Sequence, residues 1–119
     1  MSRNAFVQPA TVKLELSEGD WIEVKTELTY GEQLKLQDES SRAGEDDKLH
    51  FVYSNFYVAH LVAWIVDWSF TDAKGRVEVT ADAIRALKGS IAGEINTALN
   101  KYEAEQDALK NAVTPGSTG

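Results

Sequence analysis

The residues with the strongest claim to chemistry are two histidines, His50 and His60, and an acidic run, Glu45-Asp46-Asp47. The histidines stand ten positions apart. That is nearly three helical turns, so one helix can carry both on a shared face but cannot bring them to one metal ion. His60 and Asp67 are about two turns apart and need a third element before they can act as a base and its orienting carboxylate. No Ser is placed to be activated, and the chain has no Cys. This removes a thiolate nucleophile, a disulfide framework and a Cys-based zinc site. The acidic run lacks the D-x-D-x-D-G spacing of a calcium loop and reads as a solvated connection. The histidines read as packed rings with hydrogen-bonded tips. The expectation is a protein that is not an enzyme, with no catalytic residue, no metal ligand and no cofactor.

The element that must position both histidines is Leu49–Val66, LHFVYSNFYVAHLVAWIV, 18 residues without Lys, Arg, Asp or Glu. A run of this length exceeds an ordinary strand, so a buried helix is expected over 49–66. Helical spacing sorts it into faces. His50, Tyr53, Ser54, Tyr57, His60, Trp64 and Asp67 make a polar and aromatic stripe. Val52, Phe56, Ala59, Ala63 and Val66 make an apolar one, widened by Phe51, Val58, Val62 and Ile65. A membrane span is disfavoured. His50, Ser54, Asn55 and His60 interrupt the run, no Lys/Arg cluster flanks it, and a span wants about 20 apolar residues.

Composition narrows the function classes. At 119 residues, 43% hydrophobic and 26% charged, the chain fits one globular domain with one core. A net charge of −7 argues against a phosphate-tracking surface, so no nucleic-acid partner is expected. Acids outnumber bases by 11 to 6 over the first 48 residues, which reads as a solvating surface. The N-terminal MSRNAFVQPATVK has neither an apolar run nor a small-residue cleavage site, and a cytoplasmic protein is expected.

The rest of the chain supplies the frame. Residues 1–10 read as a flexible arm ending near Pro9. Val12, Leu14 and Leu16 alternate with polar residues, as do Ile22 and Val24, and SEGD lies between them with Gly19 suited to positive φ. A β-hairpin over 11–25 follows, which must dock its apolar face on something else. Trp21 falls opposite Ile22 and Val24, either capping an edge of the core or lying exposed as a contact residue. Thr29 and Glu32 have capping-box spacing and open a surface helix over about 30–42, thin in apolar residues. After Trp68 the chain turns at Asp72–Gly75, and Val77 and Val79 are extended. Thr80 caps a short helix over about 81–88. The last helix, about 90–112, carries the narrow apolar stripe Ile91, Ile95, Ala98, Leu99, Tyr102 and Leu109, with one polar gap at Gln106. Residues 113–119 read as a disordered tail. The expected class is α+β: an N-terminal β-hairpin followed by a mainly helical domain, 11–112, around one central buried helix.

Three segments carry a resemblance when read together. SEGDWIEVKTELTYGEQ (17–33), WIVDWSFTDAKGRVEVTADAIRAL (64–87) and the EI-x-x-AL stretch of the last helix look like the tail assembly chaperones of long-tailed bacteriophages. In that family a GDWIEVK-like hairpin, a helix opening at a YGE-like box and a DWS-x-T-D-x-x-G turn occur in this order. The match spans about residues 6 to 110, on structural rather than chemical motifs. The resemblance implies a protein of the host cytoplasm, absent from the finished virion. It implies binding of the long, hydrophobic tape measure protein, kept soluble until tail tube protein polymerises around it. A frameshifted long form, common in such families, could extend past the 113–119 end.

A role of this kind asks for a surface that buries area yet tolerates water, which aromatic residues with polar tips provide. The candidate partner-binding residues are Tyr53, Tyr57, His60 and Trp64, with Trp21 apart from them; the alternative is that these residues edge the protein's own core. Homo-oligomerisation through the narrow stripe of the last helix stays open. The competing function is a virion structural protein, such as a head-to-tail connector or a minor tail component.

Overall fold

The computed structural model describes residues 5–43 and 48–112. The first four residues of the expected arm, the acidic connection 44–47 and the tail 113–119 lie outside the described residues. Alternation in the first two segments gives the expected hairpin. β1 (Thr11–Glu15) and β2 (Trp21–Lys25) pair antiparallel, with Val12 opposite Val24 and Leu14 opposite Ile22. A single 3-10 turn, Ser17–Gly19, joins them, with Glu18 and Gly19 at φ of 58° and 80°. Gly19 adopts this geometry freely because it has no Cβ. Bonds from the Leu16 N–H to the Asp20 C=O (2.8 Å) and from the Asp20 N–H to the Ser17 C=O (3.1 Å) close the turn. The side chain of Glu94 fastens it from the last helix, accepting from both the N–H and the hydroxyl of Ser17.

The long apolar stretch is not one helix over 49–66. It divides into β4 (Leu49–Phe51), α2 (Tyr53–Trp64) and β5 (Ile65–Trp68). β5 adds antiparallel to β2, completing a sheet of order β1-β2-β5. The physical reason is the free edge of β2, whose backbone groups need partners that a continued helix cannot offer. Ile65-Val66-Asp67-Trp68, β-branched and aromatic, suits a pleated surface. Ile22 lies opposite Trp68, Glu23 opposite Asp67 and Val24 opposite Ile65, so Val66 is an extra residue at a bulge. It is 42% exposed rather than part of a buried stripe. β4 likewise pairs with β3 (Ser41–Ala43), Ser41 opposite Phe51, which ends the helix expected over 30–42 at Glu39.

The remaining elements follow their local signals. α1 (Tyr30–Glu39) opens at the expected capping box: the Thr29 hydroxyl accepts from the Glu32 N–H at 3.1 Å, and the Glu32 carboxylate from the Thr29 N–H at 2.9 Å. No residue of α1 is buried, and the helix packs on α2. β6 (Thr71–Asp72) and β7 (Gly75–Arg76) form a tight hairpin, with Gly75 at φ 116°. Thr80 caps α3 by accepting from the Ala83 N–H at 3.1 Å. α3 is shorter than the expected 81–88, spanning Ala81–Arg85, and α4 runs Gly89–Ala112, one residue earlier than expected.

The result is an α+β fold. Ile22 and Val24 of β2 and Ile65 and Trp68 of β5 point to one side of the sheet. There they meet Leu61 of α2, Ile84 of α3, and Ile95, Leu99 and Tyr102 of α4. Leu61 belongs to neither expected stripe, yet it is a deeply buried residue of α2. Trp68 is 1% exposed, and its indole N–H donates to the Val77 C=O at 2.7 Å, which draws the expected extended piece across the core. Among the described residues, no helix is long and apolar enough to cross a membrane.

Candidate functional site

α2 positions a chain of rings along one side of the helical layer. Phe56, His60 and Trp64 recur every four residues and therefore stack up one face. The Phe56 and His60 rings are 5.6 Å apart and nearly parallel (21°), and His60 meets Trp64 edge-on at 6.4 Å. β4 extends the series, with Phe51 5.5 Å from Phe56 and 4.9 Å from Tyr53. Tyr57 branches from Phe56 at 5.9 Å. Tyr53, Tyr57 and Phe51 are 70%, 55% and 53% exposed. Offset and edge-to-face contacts of this kind add stabilisation beyond area burial.

This ladder borders two adjoining pockets along α1, taken as the lobes of one groove, of which the first alone reaches α4. One lobe, about 660 Å³, is lined by Leu28, Leu36 of α1, His60 and Trp64 of α2, and Tyr102 and Gln106 of α4. A second lobe, about 510 Å³, is lined by Ser40, Ser41, Phe51 and Phe56. Gln33 and Leu36 line both lobes. His60 fixes the width of the first lobe, since its Nε2 lies 3.0 Å from Glu103 Oε1 and ties α2 to α4. Tyr102, buried at the back, has its phenol pushed above the ordinary value because burial disfavours the charged form.

The electrostatics of the groove are one-sided. Glu27, Glu103 and Asp107 line the first lobe, and no Lys or Arg is among its described lining residues. Among the described residues, no three His, Asp or Glu side chains are gathered closely enough to hold a metal ion. The arrangement can therefore bury an apolar surface and attract positive charge.

Of the five candidates the structure places two, His60 and Trp64, in the groove; Tyr53 and Tyr57 touch the ring series through Phe51 and Phe56 but line neither lobe, and Trp21 stands apart. Trp21 belongs to the opposite face of the sheet, half-buried with Glu23 and Lys25. There Lys13 Nζ stands 4.1 Å from its ring centroid and the Arg76 guanidinium carbon 5.4 Å, so Trp21 neither caps the core nor lies open. Arg76 is itself held by Asp67 at 2.9 Å. Two groove residues, Phe51 and Phe56, were expected among core-facing positions. The i, i+4, i+8 spacing of Phe56, His60 and Trp64 is the signal that places Phe56 with the ladder.

No protein-family model matches this chain, and neither a curated protein nor a solved structure matches it significantly.

Proposed function

We propose that the protein is a bacteriophage tail assembly chaperone. It binds the tape measure protein in the host cytoplasm, keeps that long helical client soluble, and promotes polymerisation of tail tube protein around it. The observation that carries this reading is the aromatic ladder Phe51–Phe56–His60–Trp64 beside an open groove. A groove edged by rings is suited to the apolar face of an amphipathic helix. The sequence resemblance supplies the identity of the client.

The test is co-expression with the tape measure protein of the same genome, followed by co-purification. A soluble complex is expected. Equal aggregation of the client with and without this protein would overturn the reading. The competing assignment, a virion structural protein, is separated by mass spectrometry of purified particles. Several copies per particle would favour it; absence is expected of a chaperone.

A further inference from the structure

We infer that the groove selects a basic amphipathic helix, and that it seats the basic end of that helix at the Trp64–Tyr102 lobe. This rests on the client-binding reading and specifies the chemistry of the segment recognised. From Phe56 to Trp64 the ladder advances eight residues along α2, roughly 12 Å at 1.5 Å per residue, or about two turns of a partner helix lying alongside. Anchors at i, i+3 or i+4, and i+7 of such a helix match that length. The two lobes differ in charge. The lobe at Trp64 carries Glu27 on the 26–28 segment and Glu103 and Asp107 on α4. The lobe at Phe51 and Phe56 presents the uncharged Gln33, Gln37, Ser40 and Ser41.

The three carboxylates line the lobe from two elements and, among the described residues, are not gathered into a cation site. Glu103 is already paired with His60, whereas Glu27 and Asp107 make no ion pair among the described residues. Spread negative charge around an apolar floor complements several Lys or Arg side chains spaced along one segment. It repels an acidic helix of the same shape. A neutral apolar helix gains the floor and leaves the rim unused.

The test uses the whole protein and three synthetic helical peptides that share one apolar stripe. One carries lysines at one end, one carries glutamates there, and one carries glutamines. Binding is followed by fluorescence anisotropy at two salt concentrations. The lysine peptide is expected to bind about tenfold or more tighter than the glutamate peptide, with the preference shrinking at high salt. The surface double variant E27Q/D107N, which disturbs no core residue, is expected to weaken the lysine peptide roughly three- to tenfold and leave the glutamine peptide unchanged. A nitroxide beside the lysines should broaden the amide signals of Gln106 and Asp107 and spare those of Ser40 and Ser41.

Equal binding of the lysine and glutamate peptides, no binding of any peptide, or broadening at Ser40 and Ser41 instead would overturn the inference. So would sedimentation showing that the free protein dimerises through this face, since a second copy would then be the occupant. The two readings fail separately. A tape measure protein kept soluble without charge selectivity retains the chaperone and removes the basic helix. Charge-selective peptide binding with an insoluble tape measure protein does the reverse.

Discussion

Ser69 Oγ donates to Asp20 Oδ1 at 2.9 Å while it accepts the Trp21 N–H at 3.0 Å. The Ser69 N–H donates to the Trp21 C=O at 3.1 Å, so one residue after β5 locks the start of β2. These contacts join the Gly19-Asp20-Trp21 and Asp67-Trp68-Ser69 segments, 48 residues apart. Ser69→Ala strips two side-chain bonds at a half-buried site and should destabilise by about 1–3 kcal/mol. Urea denaturation measures this, and hydrogen exchange should show faster opening of the β2–β5 ladder than of α4. Unchanged stability and unchanged exchange would mean that the backbone bonds alone hold the junction.

Trp68 should be the least replaceable side chain of the core. It fills the space beside Phe70 at 5.3 Å and closes the 77–79 segment through its indole N–H. Trp68→Ala should cost about 3–5 kcal/mol, a large share of the roughly 5–15 kcal/mol available to a domain. Trp68→Phe keeps much of the volume but leaves the Val77 C=O without its donor, and should cost less. Thermal melts of both variants establish the order; equal melting temperatures would contradict it.

Glu32 links the capping box to β2, since its carboxylate also pairs with Lys25. The Lys25 hydrogen bond, followed by the bond from the Thr29 N–H, holds its pKa below the ordinary value of 4.5. The folded state therefore favours the ionised form. Its stabilisation is complete above the ordinary value and fades as pH falls through the lower folded value. The stability gap between wild type and Glu32→Gln should accordingly be largest near neutrality and narrow in acid. Thr29→Ala removes the reciprocal cap and should cost about 1 kcal/mol. A gap that widens in acid would reverse the sign assigned here.

The exposed rings and the shielded one should separate binding from stability. Tyr53→Ala and Tyr57→Ala remove mainly solvent-exposed surface and one edge-to-face contact each, and should change folding stability by about 1 kcal/mol or less. Neither lines the groove, but both flank it through Phe51 and Phe56, and each should weaken client capture by more than about 1 kcal/mol, roughly fivefold, if the client extends past the groove edge onto these rings. Trp21→Ala should do the opposite. It loses the contacts with Lys13 and Arg76, each worth about 0.5–1 kcal/mol at an exposed site, and leaves capture intact. Pull-down of the tape measure protein alongside denaturation of the same variants decides the matter.

Features whose physics is local were legible in the order of residues alone. Alternation over Thr11–Glu15 and Trp21–Lys25 specified the hairpin, because period-two patterning and a glycine able to take positive φ act over a few residues. Thr29 and Glu32 specified the start of α1, since a capping box is complete within one turn. The stripe Ile95, Leu99 and Tyr102 specified the buried side of α4. Leu49–Trp68 was different, because an unbroken apolar run is compatible with helix and strand alike. Only the free edge of β2, distant in sequence, converts Ile65–Trp68 into a strand and pushes Val66 out at a bulge. The groove is likewise a tertiary product. Phe56, His60 and Trp64 share a face by spacing alone, but Leu36 from α1 and Tyr102 and Glu103 from α4 join them only when three helices pack together. Packing turns an aromatic stripe into one wall of an acidic cleft.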